Sequence, residues 1–156
     1  MSEIHIYTDG SSRGNPGPGG YGIILVSGNH RKELSKGFRH TTNNRMELLA
    51  VIDGLKALKR HDIPVTVHSD SQYVVNAVNK GWLKNWIKTN FKGGKKNKDL
   101  WLEFHRISSG IKVKFNWIKG HNNHTFNERC DELATAAADG HHLHIDKIYE
   151  EEEGEK

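Results

Sequence analysis

A chain of 156 residues and 17.7 kDa suits one domain with its own core. It has no run of about eighteen apolar residues, the length a membrane-spanning helix needs, which reads as soluble; Cys130 is its only cysteine, which excludes an internal disulfide, fits a reducing cytoplasm and reads as a buried, inert thiol, and a monomer is expected. The formal charge of +4 is uneven: residues 150–156, EEEEGEK, hold five Glu and one Lys, a net −4 that leaves +8 on the rest.

Residues 3–9 alternate Ile4 and Ile6 with His5 and Tyr7, the period of a half-buried strand that ends at Asp9. The segment behind it, GSSRGNPGPGG, is too rich in Gly and Pro for regular structure. A phosphate cradle would need a helix next, and the Walker pattern a Gly-Lys-Ser/Thr ending. GYGIILV follows instead and reads as a strand over 20–27, so the loop joins two strands and presents Asp9. The turn signal at Gly28-Asn29 leads to a third strand over 31–39 and an antiparallel start.

TTNNRMELLAVIDGLKALKR places apolar residues at 48, 51, 52, 55 and 58, a helix behind a Thr/Asn cap. Asn44 and Glu47 have the spacing of a capping box, a purely structural role for Glu47. Glu47 also flanks the apolar stripe and so borders the sheet, whereas Asp53 falls on the solvated face. IPVTVHSD is a strand over 63–70 with Asp70 at its C-terminal end, and SQYVVNAVNKG is a short helix closed by Gly81. From Lys80 to Lys98 there are seven lysines and no acid, with Trp82, Trp86 and Phe91 interleaved. Such a segment suits phosphate backbones, and Trp82 and Trp86, four apart, can share one buried helix face. A helix near 97–109, a strand over 112–118 and an alanine-rich helix over 127–139 complete the body, with Asp131 flanking the Cys130, Ala134, Ala137 stripe. The order βββαβααβα is an α/β fold: a five-stranded mixed sheet, its first three strands antiparallel, flanked by helices. Residues 1–140 form the expected domain and 141–156 a loosely ordered acidic tail. Histidines 141, 142 and 144 on that tail suggest adventitious metal binding.

Asp9 and Asp70 end strands, where ligands gather in such sheets, and Glu47 and Asp131 flank helices that pack on that sheet. Taken singly, each acid has a structural explanation. Gathered together they repel one another unless a cation sits among them, and oxygen ligands without His or Cys suit Mg²⁺ or Mn²⁺. Two such ions activate a water and stabilise the leaving oxygen of a phosphodiester.

YTDGSSRGNPGPGGYG, TTNNRMEL, SDSQYV and GHNNHTFNERCDELA, in that order, resemble the bacterial type 1 ribonuclease H family from residue 3 to about 139. The resemblance implies a ribonuclease H-like fold with a basic protrusion. It also implies an endonuclease that cuts the RNA strand of RNA/DNA hybrids, leaving 5′-phosphate and 3′-hydroxyl ends. Asp9, Glu47, Asp70 and Asp131 would hold two divalent ions with substrate bound, and His121 would assist proton transfer or product departure. Asn123 stands where the family commonly has Gly, two residues after that His, and Asn tolerates left-handed backbone. Asn15, Asn43 and Gln72, with backbone groups near Gly10 and Ser11, would read 2′-hydroxyls in the minor groove. Thr42 would grip a DNA-strand phosphate. Trp82, Trp86, Lys88, Lys95, Lys96 and Lys98 would serve the protrusion. Two alternatives stay open: a DNA-cutting relative with the same sheet and acids, and a hybrid-binding module without chemistry.

Overall fold

The computed structural model describes residues 3–93, 96–119 and 125–154. Three strands, β1 (Ile4–Ser12), β2 (Gly17–Ser27) and β3 (His30–Thr41), form the antiparallel meander. Helix α1 (Asn43–Lys56) then crosses over to β4 (Val65–Ser69), parallel to β1. Helices α2 (Gln72–Asn79), α3 (Trp82–Lys88) and α4 (Lys98–Ser108) precede β5 (Val113–Trp117), which pairs parallel to β4. Helix α5 (Thr125–Ala138) covers the other face, followed by β6 (Leu143–His144) and α6 (Lys147–Gly154). The sheet order is β5-β4-β1-β2-β3-β6. Alternation along β1 and β2 sends Ile4, Ile6 and Ile23 into the α1 side, where Leu48, Val51, Ile52 and Leu55 close a core with Val65, Val67, Val74 and Trp101.

Most of the glycine-rich segment is strand. Gly10, Ser11 and Ser12 pair with Tyr21, Gly20 and Gly19, so only the tip near Arg13–Pro16 turns. Two glycines of β2, Gly20 and Gly22, lack side chains because α5 lies directly on their backbone. A Cβ on Gly22 would stand 2.3 Å from the Cys130 carbonyl oxygen, and one on Gly20 2.6 Å from that of Ala134. The alanines of α5 meet the glycines of β2, and the helix backbone rests directly on the strand. Gly22→Ala is therefore expected to destabilise by about 1–3 kcal/mol through overpacking against backbone that cannot yield. Gly110→Ala is the control, since its added Cβ meets nothing within 4 Å. Denaturant melts of the two variants check the contrast.

Three expectations are corrected. The sheet has six strands rather than five, because Leu143 and His144 add beside Gly37 and Phe38 of β3. The basic segment contains a helix of its own, α3. The acidic tail is ordered over 143–154: Glu150 takes the Arg39 guanidinium, Glu153 takes His40 and the Tyr149 hydroxyl, and Asp146 is buried against Arg45. An acidic run reads as solvated when its partners, here Arg39, His40 and Arg45, stand a hundred residues away. No helix among the described residues is long and apolar enough to cross a membrane.

Candidate active site

The parallel β1–β4 ladder ends at Thr8 opposite Ser69, so Asp9 and Asp70 leave it side by side. Strand β1 continues past Asp9, paired with β2 alone. Asp9 is thus held inside a strand on one edge and opens into the gap that β4 leaves on the other. Glu47 reaches the same gap from α1, and Gly10 is the reason: a Cβ there would stand 2.4 Å from Glu47 N and 2.5 Å from Met46 C. With no Cβ in the way, the helix rests on the strand, and the Gly10 N–H donates to both the Glu47 carboxylate and, at 2.9 Å, Asp9 Oδ1. Ligand oxygens of Asp9, Glu47 and Asp70 lie within 4.8 Å of one another. Asp131 comes from the opposite face. Gly22 pairs with Asp9, its vacant side-chain position is filled by the Cys130 carbonyl, and the next residue is thereby set at the rim of the cleft.

The cleft encloses about 400 Å³, with the carboxylates as its floor. Burial, then the charge of Asp70, pushes the Asp9 carboxyl up to about 8. Burial also drives Glu47 well above the usual carboxylate range, aided by Asp9 and Asp70 and opposed by the Gly10 N–H. Such burial and crowding favour the protonated form of Asp9 and Glu47 until a cation takes the proton's place. The donor set is all hard oxygen, which fits a hard divalent ion.

The other expected residues fall in four groups. Ser11, Asn43 and Gln72 line the cleft, the latter two exposed at its rim, while the Gly10 amide is spent on the carboxylates instead of facing a groove. Asn15 Oδ1 accepts from Asn43 N at 3.1 Å and so ties the hairpin tip to the start of α1. Thr42 is the N-cap, accepting from Arg45 N at 3.2 Å, so Glu47 is not a capping residue and the Thr42 hydroxyl still has its proton to donate. Lys88, Lys96 and Lys98 are exposed, as is Trp82 at 42%, with the Lys80 ammonium 5.8 Å from its ring centre. Trp86 takes the expected buried face, 5.8 Å from Trp101 and 6.4 Å from Phe91 by ring centroids, and anchors the protrusion to the core, whereas Trp82, 6.5 Å from it, is the one turned outward. His121 and Lys95 lie outside the described residues. Asp53 is not simply solvated, because the Tyr21 phenol donates to it.

Sequence reasoning missed Asn44, Ser71 and Tyr73 in the cleft wall. Ser71 had a signal, a serine between strand and helix, and it caps α2 by accepting from Val74 N at 3.2 Å. Tyr73 had none; its hydroxyl accepts from Trp101 Nε1 at 2.7 Å and Asn97 Nδ2 at 3.1 Å, locking the cleft wall to α4.

Proteins of known kind share this architecture. The family model for RNase H matches residues 1–139. Ribonuclease H of Desulforamulus reducens is 53% identical over 150 residues, 94% of each chain. That of Lachnoclostridium phytofermentans is 51% identical over 95% of this chain and 99% of its own. Among solved structures, LC9-RNase H1, a type 1 RNase H with the type 2 active-site motif, aligns with a TM-score of 0.77 at 29% identity, over 88% of this chain and 74% of that one. LC11-RNase H1 in complex with RNA/DNA hybrid aligns at 0.68 and 28% identity over 88% and 97%. Agreement in sequence over nearly the full length, and in fold around the same strands and helices, settles the affiliation: the chain belongs to the ribonuclease H family and is a ribonuclease H hydrolase.

Proposed function

We propose that the protein is an endonuclease hydrolysing the RNA strand of RNA/DNA hybrids, such as those arising in replication and transcription, with 5′-phosphate and 3′-hydroxyl ends. The observation that carries this reading is the convergence of Asp9, Glu47 and Asp70 from three elements, their oxygens within 4.8 Å, in a cleft edged by exposed amide side chains. The complex of LC11-RNase H1 with RNA/DNA hybrid supports the substrate class. Asp9, Glu47, Asp70 and Asp131 would hold Mg²⁺, or Mn²⁺, as two ions with substrate bound. Such ions supply a water acidic enough to attack and a counter-charge for the leaving oxygen. The chain's own residues do the rest. Asn43, Gln72 and Asn15 offer amide donors and acceptors to 2′-hydroxyls at the rim, which is how RNA is told from DNA. Thr42 donates its hydroxyl to a phosphate of the other strand, and the lysines and Trp82 of the protrusion hold the backbone. His121 is assigned to proton transfer or product departure. The protein acts as a monomer in the cytoplasm, a reducing setting that suits its free, buried Cys130.

Cleavage of labelled RNA/DNA hybrid, RNA duplex and DNA duplex side by side, with Mg²⁺ and with EDTA, tests the reading. Cleavage of the hybrid alone, and only with metal, is expected. Cutting of duplex DNA would favour the DNA-cutting relative, and binding without cutting in either Mg²⁺ or Mn²⁺ would leave a binding module. The protrusion has its own test. Replacing Lys88, Lys96 and Lys98 by Ala is expected to lower the slope of log affinity against log salt by up to about 0.9 for each phosphate that is no longer neutralised. An unchanged slope would remove the protrusion from the interface.

A further inference from the structure

The histidines the sequence singled out, 141 to 144, do not gather: His141 and His142 are exposed, and His144 packs on Phe38 at 5.9 Å between ring centres. A different pair does. His5 of β1 and His68 of β4 sit diagonally across the parallel ladder, His5 opposite Thr66 and His68 opposite Tyr7, on the half-open sheet face beside α5. His5 Nδ1 lies 2.9 Å from His68 Nε2, and the ring planes differ by only 20°. With the ring centroids 5.1 Å apart, the two nitrogens face each other nearly in line, as a hydrogen-bonded pair does, and a modest turn of each ring would bring both onto one shared ligand atom.

We infer that His5 and His68 form a nitrogen-ligated site for a borderline transition-metal ion, Zn²⁺ or Co²⁺, separate from the carboxylate floor. Two nitrogens at Zn–N distances of about 2.0–2.1 Å and a tetrahedral angle stand roughly 3.3–3.4 Å apart. The observed 2.9 Å has to open by about 0.4 Å and both rings have to turn until their lone pairs converge, an adjustment available to two side chains that are half-exposed. The far nitrogen of His68 has a partner at hand: the Asn116 side-chain nitrogen stands 3.0 Å from Nδ1, and on metal binding that amide would turn over so that its oxygen accepts Nδ1–H and Nε2 is freed to ligate. Tyr7 stacks on His68 at 4.5 Å and 14°, and Phe126 stacks on Tyr7 at 4.5 Å, so the ligating ring is held in orientation. Asn116 is exposed and the face is open, so water completes the coordination.

Imidazole prefers Zn²⁺ and Co²⁺ where carboxylates suit Mg²⁺, so excess Mg²⁺ occupies the floor while the pair is titrated. The bound ion would bridge β1 and β4, the two strands that present Asp9 and Asp70. The test is a Zn²⁺ titration by calorimetry, and a Co²⁺ titration by absorption, both in excess Mg²⁺. The protein is the full chain carrying His141→Gln, His142→Gln and His144→Gln to silence the tail. One equivalent of Zn²⁺ bound, a Co²⁺ spectrum with nitrogen-ligand character, a raised Tm with metal, and at least about tenfold weaker binding in both His5→Gln and His68→Gln are expected. Equal affinity in either single variant, an all-oxygen octahedral Co²⁺ spectrum, or no binding at micromolar Zn²⁺ would overturn the assignment and leave the pair as an imidazole–imidazole hydrogen bond.

Discussion

Asp9→Asn is expected to lose at least about a thousandfold in hybrid cleavage, some 4 kcal/mol of transition-state stabilisation, while hybrid binding persists and the metal-free fold becomes more stable. The two effects share one cause. The Asp9 carboxyl is held beside Asp70 and Glu47 with little solvent, and its pKa stands at about 8 against an ordinary 3.8. The folded state thus keeps a proton that the unfolded chain releases. That stability is present in full below about 3.8 and is lost as pH rises through about 8, so in EDTA the Tm is expected to fall between those values. Mg²⁺ should restore it at the alkaline end by supplying the counter-charge. An asparagine needs no proton and repels neither neighbour, so the variant's Tm in EDTA should be flatter with pH and higher near neutrality. A rise of the order of 2–8 °C follows from one or two kcal/mol of relieved repulsion at about 2–4 °C per kcal/mol for a chain of this size. Near-normal turnover would remove Asp9 from the chemistry. A Tm that falls on substitution would show that the carboxylate cluster is not the strained feature its burial implies.

The four acids were legible because each sits at a place that period and topology define: two behind apolar strands, two beside helix stripes. Their convergence was not, since it depends on Gly10 and Gly22, whose purpose appears only when α1 and α5 are laid on the backbone. A glycine-rich segment carries no period, so strand residues 10–12 and 17–19 read as loop. The tail failed for a related reason. Glu150, Glu153 and Asp146 are acids in an acidic run, and nothing in their spacing names Arg39, His40 or Arg45 as partners. The His5 and His68 pair requires the β1–β4 register, which one sequence does not disclose. One signal was available and unread: Arg45 lies three residues before Leu48 and seven before Ile52, on the apolar stripe itself. A charge there has to be buried, and a buried charge has to be paired.

Arg45 supports the second large effect. Its side chain is 2% exposed, and its guanidinium is filled from two sides. Asp146 accepts from Nε at 2.7 Å and Nη2 at 2.9 Å; Asp99 accepts from Nη1 at 2.9 Å and Nη2 at 2.8 Å. Thr41 donates to Asp146 at 2.7 Å, and the Tyr149 ring stands 5.5 Å from the guanidinium carbon. One side chain therefore ties the start of α1, two residues from Glu47, to the head of α4 and to the C-terminal segment. Arg45→Ala removes the cation and strands two carboxylates, one of them, Asp146, only 8% exposed. The expected loss is about 3–5 kcal/mol, the usual result of deleting one partner of a buried pair, and a Tm lower by roughly 6–20 °C. Arg45→Lys is expected to recover little of it, because a single ammonium cannot meet two carboxylates edge-on. The double variant Arg45→Met with Asp146→Leu should do better than Arg45→Ala, since it leaves no charge buried at Asp146. Urea melts of the three variants decide the matter. A loss under about 1 kcal/mol in Arg45→Ala would mean that water reaches the carboxylates freely and that the C-terminal helix is held by its surface pairs with Arg39 and His40 alone.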